Sequence, residues 1–438
     1  MRVVIIGGGS AGTTCAFELR KLNKKIEIVI IEKANHYEYS PCALPYLIND
    51  EISDFDKIFI YQKEDYENNN IDVLLNSEVY NIVDNKVLYK VSGVEKELPY
   101  DKLILATGAK AVVPKIDGLS EVDFYQLKTV ADFKKIKAGI QKGSKSVVIG
   151  AGMIGVELAS VLSQQEEQVT LLEQEKNILP NMLDKDMAVI LQDFLTDIKI
   201  IENAKISKIV KNEIVMSDGK VNFDKLFVCT GSMPNLDLAK KMTLKTNEGI
   251  VVDEFFQTSF DNVYAIGDCI EQKEFNSGKT VVSQLGSLAV LQARFLAANI
   301  LGNKQVWEPI VNNTVSKLGD VYVGSVGLSE TRALALGEKI ISVKHSDFLR
   351  SKYYSEKEKI SVKLITDYEG VILGGQIIAH GEVAGQLNLL AMAIKQKNTV
   401  KELSNLENCY NPAVISVLSP LTVASIVAEK KVTFLKNN

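Results

Sequence analysis

Val3-Val4-Ile5-Ile6-Gly7-Gly8-Gly9-Ser10-Ala11-Gly12 opens the chain, and its reading decides the fold. Four apolar, β-branched residues in a row read as a short strand covered on both faces. The glycines after it fit G-x-G-x-x-G at Gly7, Gly9 and Gly12, with Ser10 and Ala11 inside the turn. From Thr13, the spacing of Ala16, Leu19 and Leu22 predicts a helix, and Ile26 to Ile31 predicts a second strand that ends in Glu32 and Lys33. Each part has a task in holding a dinucleotide. Glycines let the backbone turn tightly and approach a pyrophosphate, the helix N-terminus stabilises its charge, and an acid at the end of the second strand accepts from a ribose hydroxyl.

The pattern recurs once. Ser146 to Ile149 runs into Gly150-Ala151-Gly152-Met153-Ile154-Gly155, followed by a helical stretch through Glu157 and Leu162 and a strand, Val169 to Leu172, ending in Glu173. Two such units argue for two dinucleotides held face to face, and hydride transfer is the chemistry that needs them. Glu173 accepts from an unmodified ribose 2′-hydroxyl and repels a 2′-phosphate, which favours NADH, with NADPH as the alternative while Lys176 stands nearby.

A second repeat supports the duplication. Tyr100-Asp101-Lys102-Leu103-Ile104-Leu105-Ala106-Thr107-Gly108 returns as Phe223-Asp224-Lys225-Leu226-Phe227-Val228-Cys229-Thr230-Gly231, each a buried strand followed by a Thr-Gly turn. Asn262 to Cys269 ends another apolar run in Gly267-Asp268. From about Trp307 the pattern changes to strands over 321–326, 340–344, 360–366 and 371–378 and a helix over 381–395, with no nucleotide motif. The expected class is α/β, with two Rossmann-like dinucleotide-binding domains plus a C-terminal α+β dimerisation domain. The expected bounds are 1–111 with 240–306, then 112–239, then 307–438.

The stretch Tyr39-Ser40-Pro41-Cys42-Ala43-Leu44-Pro45-Tyr46 places one thiol between two prolines. Proline fixes its own φ and pushes the preceding residue out of the helical region, so the sulfur is held. A helix starts either at Ser40 as N-cap or near Leu44, and both leave Cys42 at or near an N-terminus that favours thiolate. A buried structural cysteine in a proline-rich loop is the competing reading.

Composition narrows the rest. The 438 residues carry a net charge of −5, so no global field draws the chain to nucleic acid or to an anionic membrane. Five scattered cysteines, without C-x-x-C, read as a reducing, cytoplasmic setting and show no metal framework. Met1 to Gly9 lacks the apolar core of a signal peptide, and the uncharged stretch 408–428 is interrupted by Asn411, Pro412, Ser416, Ser419 and Pro420, which favours core or interface over a membrane span.

Taken together, these motifs resemble the single-cysteine flavoprotein disulfide reductases within the pyridine nucleotide-disulfide oxidoreductases, most closely the coenzyme A disulfide reductases and related NADH oxidases. The resemblance implies that Gly7, Gly9, Ser10, Ala11, Gly12, Glu32 and Lys33 hold the ADP part of FAD, and Thr107, Gly108 and Asp268 the rest of the flavin. It assigns Gly150, Gly152, Ile154, Gly155, Glu173 and Gly231 to NADH and puts Glu157 near the nicotinamide. Cys42 matches the redox cysteine, and Tyr353 or Tyr354, with Tyr410, match tyrosines that a partner subunit brings to it. Leu47 stands where two-cysteine reductases need a second thiol, and Ser10 where peroxidases of the family carry a histidine.

The expected activity passes electrons from NADH through FAD and Cys42 to a small disulfide, coenzyme A disulfide or a polysulfide or persulfide, in a homodimer whose site is completed by the partner's C-terminal domain. Arg20, Lys21, Ser40 and Lys352 are the expected substrate contacts, the lysines and arginine for coenzyme A phosphates. An NADH oxidase reducing O2 to water or H2O2 is the alternative, and a reductase of a ferredoxin-like protein a third reading.

Overall fold

The computed structural model describes residues 1–354, 358–381 and 383–437. They form two compact units. The first comprises Met1–Val112, Ser232–Glu274 and Gly278–Ile310; the second comprises Val113–Gly231, Phe275–Ser277 and Val311 onward.

The first unit is built on a five-stranded parallel sheet. Its order is Val263–Ala265, Lys102–Leu105, β1 (Arg2–Ile6), β2 (Glu27–Ile31) and β3 (Ile71–Leu74). Val3, Val4 and Ile5 are wholly buried, as the continuous apolar run requires of a strand covered on both faces. Each such burial stabilises the unit by about 1.5–3 kcal/mol. Helix α1 (Ser10–Leu22) packs Cys15, Ala16 and Leu19 inward, and the helix Gly286–Ile300 lies against it through small residues such as Ala289, Ala293 and Ala297. Alanines at that contact let the two backbones come close. A three-stranded antiparallel meander, Ser77–Val83, Lys86–Val91 and Val94–Pro99, completes the unit.

The second unit holds the repeat. Its parallel sheet runs Ile198–Ile201, Gln168–Leu172, Lys145–Ile149, Lys225–Val228, with the helix Met153–Gln164 after the second glycine turn. The same unit contains a five-stranded antiparallel sheet in the order Thr314–Leu318, Val321–Gly327, Ile372–Ala379, Lys359–Asp367, Ile340–Phe348. Helices Ala384–Lys395 and Pro420–Lys436 cover it with Leu387, Leu390, Leu421, Ala424 and Ala428. The uncharged stretch from 408 divides accordingly. Its second half begins the last helix, and its first half leaves Val414, Val417 and Leu418 exposed.

Lys363, on the interior strand Lys359–Asp367, is 2% exposed and so must be paired. Its Nζ lies 2.7 Å from Asp186 Oδ1, 2.6 Å from Glu330 Oε2 and 3.3 Å from Asp184 Oδ2. Asp184 is buried as well and accepts from the Glu330 and Thr331 amides at 3.0 and 2.9 Å and from Gln376 Nε2 at 2.6 Å. Burial opposes its ionisation, but the Thr331 amide and Lys363 outweigh that and hold its carboxyl below the usual range. A depressed carboxyl stabilises the fold above its unfolded pKa, and that contribution is lost as pH falls through the folded value. Lys363→Met should therefore cost about 3 kcal/mol near neutral pH by leaving Asp184 buried without its cation, read as a lowered urea midpoint, and the deficit should shrink on acidification below pH ~4.

Candidate functional site

The two glycine turns share one backbone construction. Gly7 has φ +107°, and a Cβ on Gly12 would lie 2.0 Å from the Gly7 carbonyl oxygen. In the second turn Gly150 has φ +99°, and a Cβ on Gly155 would lie 1.9 Å from the Gly150 oxygen. The first and last glycines are thus demanded by the turn itself. The middle glycines differ, since a Cβ on Gly9 or Gly152 would meet nothing within 4 Å. Both are N-caps in extended conformation with no side-chain cap, ahead of helices of 13 and 12 residues. Open space in front of uncapped amides is the cradle that a pyrophosphate fits.

Both acids are held alike. Glu32 accepts from the Gly8 amide at 2.6 Å and the Ala34 amide at 2.7 Å; Glu173 accepts from Ala151 at 2.7 Å and Glu175 at 2.9 Å. Each carboxylate is fixed beside its turn, with lone pairs left for ribose hydroxyls. Ile154, in the first turn of the second helix, is 40% exposed.

In the first unit, Thr107 Oγ1 donates to the Asn235 carbonyl at 3.0 Å, and Gly108 takes φ +64°. Ala109–Ala111 pairs antiparallel with Ser232–Pro234, so the chain just past each Thr-Gly turn meets its counterpart. Gly267, at φ +81°, donates its amide to Gln292 Oε1 at 2.7 Å, and a Cβ there would lie 3.0 Å from Ala11 Cβ. That approach puts half-buried Asp268 at the start of α1. Gly231 turns with φ +97° at the end of the second repeat.

Both helix starts read near Cys42 are realised. Pro41–Ala43 is a single 3-10 turn with Ser40 as N-cap, and α2 (Leu44–Ile48) follows at once. Ser40 contributes its backbone, whose amide donates to the Ile58 carbonyl at 2.9 Å, and no side-chain cap. Because α2 has only five residues, its dipole offers the thiol less than a full helix would. Cys42 is exposed, which sets aside the buried-cysteine reading. Cys15 and Cys269 are wholly buried, and burial pushes Cys229 up to about 12 and Cys269 up to about 11. Only Cys409 shares the exposure of Cys42.

Several expected contacts are otherwise engaged. Arg20 is 4% exposed and donates to the Lys24 and Asn70 carbonyls at 2.8 Å each, which makes it a strut between α1 and β3 rather than a phosphate ligand. Lys21 lies 3.2 Å from Glu18, and Lys33 pairs with Glu78 at 2.6 Å on the surface. Lys352 stands over the Phe348 ring. In the second unit the hydroxyls of exposed Tyr353 and Tyr410 are 3.5 Å apart, and that bond lowers Tyr353 from the ordinary phenol range and raises Tyr410. Tyr354 is stacked under Arg350.

Comparison with known proteins identifies the architecture. The family model for pyridine nucleotide-disulphide oxidoreductases matches residues 1–292, and that for their dimerisation domain matches 315–418. The chain belongs to this family. It is an NAD(P)H-dependent flavoprotein oxidoreductase, and the family binds FAD and NAD(P)H. An NADH oxidase of Methanocaldococcus jannaschii is 38% identical over 99% of this chain and 100% of its own length. An NAD(P)H coenzyme A polysulfide/persulfide reductase of Pyrococcus horikoshii is 28% identical over 97% of this chain and 98% of its own. A solved NAD-dependent persulfide reductase from A. fulgidus superposes with a TM-score of 0.94 and 31% identity, covering 99% of this chain and 84% of that one. Among the described residues, no helix is long and apolar enough to cross a membrane.

Two polar contacts escaped the sequence reading because they join residues far apart in the chain. Ser10 Oγ donates to Glu38 Oε1 at 2.8 Å, and Ser316 Oγ, from the antiparallel sheet, donates to Glu157 Oε1 at 2.5 Å. Burial raises the Glu157 carboxyl and the Ser316 bond partly offsets it. Ser316→Ala should therefore move the Glu157 titration further upward, as read by carboxyl infrared difference spectra against a Glu157→Gln control.

Proposed function

We propose that electrons from NADH leave this flavoprotein through Cys42 to the sulfur of a small disulfide or persulfide, coenzyme A disulfide included. One observation carries the reading: Cys42 is an exposed thiol on a turn fixed by proline on both sides and pinned by the Ser40 amide. Such a sulfur is presented and cannot withdraw. When bound, FAD accepts hydride from NADH and returns two electrons.

The chain's own residues do the rest. Cys42 thiolate attacks R–S–S–R; the Cys42–S–S–R bond forms, the first thiolate leaves and takes a proton to give RSH. Two electrons and one proton then cleave the mixed disulfide, releasing the second RSH and restoring the Cys42 thiolate. Tyr410, paired with Tyr353, is the proposed proton donor, brought by the partner subunit of a homodimer. Glu173, anchored by two amides, favours NADH by repelling a 2′-phosphate. Because Arg20 serves the fold, Lys21 and Lys352 are left as the cations for coenzyme A phosphates, which weakens a strict requirement for coenzyme A and extends the acceptor class to smaller sulfur species.

Reduction of dioxygen is the second reading, favoured by the printed name of the 38% identical relative. In that case Cys42 cycles through a sulfenate or stands idle.

Turnover of NADH and NADPH should be measured against coenzyme A disulfide, polysulfide and oxygen. Cys42→Ala should lose about a thousandfold or more of the sulfur-dependent turnover, and NADH should outrun NADPH. Full sulfur turnover without the thiol would sink the proposal, and oxygen uptake that dominates in the wild type and survives the substitution would install the second reading. Sedimentation should give a dimer; a monomer with full activity would remove the partner's Tyr410 from the scheme.

A further inference from the structure

Glu38 is a buried acid with no part in the electron route. It is 6% exposed and lies four residues before Cys42. Its Oε1 accepts from Ser10 Oγ at 2.8 Å, and its Oε2 has no hydrogen-bond partner. Ser10 is the first residue of α1, immediately after the uncapped Gly9 that opens the pyrophosphate cradle. The acid borders a narrow crevice with Gly8, Glu32, His36, Tyr37 and Tyr66, so the second oxygen is enclosed by protein.

Such a group is costly as an anion. A buried carboxylate with one bond and no cation is several kcal/mol less favourable than one in water, and the ordinary remedy is to keep its proton. Burial raises the Glu38 carboxyl, and the Ser10 bond only partly offsets this. Its other neighbours add no positive charge. Tyr61 and Tyr66 face it, and burial raises both phenols, Tyr66 up to about 12, with the Glu38 charge a smaller contribution. Glu32 shares the crevice and is held to the Gly8 and Ala34 amides, and His36 points Nδ1 at the Tyr37 carbonyl. Glu18, Asp65 and Lys21 act on Tyr61 from the outer side, and Lys21 lies beside Glu18.

We propose that Glu38 is a positioning residue for Cys42: bonded to Ser10 it moors the thiol-bearing turn to the N-terminus of α1, and its ionisation, which strengthens the Ser10 bond but leaves an enclosed charge on Oε2 without a cation, shifts that mooring. After Glu38, Tyr39 bridges Phe59, the Ser40 amide bonds Ile58, and the 3-10 turn begins. These contacts fix the turn to the 55–59 segment, whereas Glu38 fixes it to the helix that carries the first nucleotide site.

The inference rests on the Cys42 reading of the function for its purpose, but its test does not depend on the electron acceptor. The rate at which iodoacetamide alkylates Cys42 should be followed from pH 5 to 9 on the flavin-loaded protein, with the Cys42 peptide quantified by mass spectrometry so that Cys409 does not contribute. The wild type should show, besides the thiol's own titration, a change in rate as Glu38 loses its proton. Glu38→Gln keeps an acceptor for Ser10 and cannot ionise, so it should erase that step and hold the low-pH behaviour throughout. Ser10→Ala, read on its flavin-loaded fraction because Ser10 borders the first nucleotide turn, should shift the step to higher pH and change the Cys42 rate about tenfold. Profiles of Glu38→Gln and Ser10→Ala that superimpose on the wild type would overturn the proposal, even if Cys42→Ala abolishes turnover. Should Ser10→Ala fail to retain flavin, Glu38→Gln alone decides it. Loss of turnover in Cys42→Ala is the separate measure of the electron route.

Discussion

The approach of one backbone to another inside the glycine turns is the constraint on which everything else depends. At Gly12 the space left for a side chain is 2.0 Å from the Gly7 oxygen, and at Gly155 it is 1.9 Å from the Gly150 oxygen. No packing adjustment opens that gap, because both partners are main chain tied into a strand on one side and a helix on the other. The helix therefore starts directly over the strand end, and its uncapped amides face outward at Gly9 and Gly152. From that follow the fixed acids Glu32 and Glu173, which reach back to the second residue of each turn. The cradle is a property of the backbone; side chains are committed to it at the acids and, in the first turn, at Thr13, whose Oγ1 donates to the Gly8 carbonyl.

Duplication explains why so much of the architecture was legible. A βαβ nucleotide unit has glycines at positions set by sterics, a strand whose every residue is buried, and an acid at a set distance, and each of these leaves a mark in the residues themselves. The Thr-Gly turns behaved in the same way, since their glycines take positive φ at Gly108 and Gly231. The last domain was read as strands and a helix with shifts of a few residues, but the edge strand Thr314–Leu318 and the last helix, Pro420–Lys436, were not. Polar Thr314, Ser316 and Lys317 blur the strand's alternation. Lys430, Lys431 and Lys436 dilute the helical stripe of Leu421, Ala424, Ala428 and Val432.

The site was legible where chemistry depends on a local turn and opaque where it depends on a distant partner. Pro41 and Pro45 announced a held thiol, and the structure gives both helix starts that they allowed. Charge was the poorest guide. Arg20 and Lys21 look alike in a sequence as neighbouring cations on one helix, yet one is buried among carbonyls and the other sits on the surface beside Glu18. Their difference is one of helical phase: Arg20 follows Ala16 on the inward face, whereas Lys21 turns outward. Lys363 is the same lesson within a strand, a cation at the centre of a sheet, tolerable only because three carboxylates from elsewhere in the chain converge on it.

Buried acids in this molecule separate by what their oxygens meet. Asp184 is surrounded by amides and a lysine and is held ionised; half-buried Glu157 has one serine hydroxyl against the effect of burial, and Glu38 has one hydroxyl and one oxygen that meets nothing. The first arrangement is that of a structural anchor, since every lone pair is spoken for and no state but the anion suits it. Burial raises the other two, and a carboxyl of that kind near a nucleotide turn can take or give a proton as nearby charge changes. Placement reinforces the contrast: Asp184 lies in a network remote from both glycine turns along the chain, while Glu38 and Glu157 each sit within a few residues of a motif that defines a site. A carboxyl with an unspent oxygen at such a place is poorly explained by stability alone, because an apolar residue of similar size would be easier to bury there.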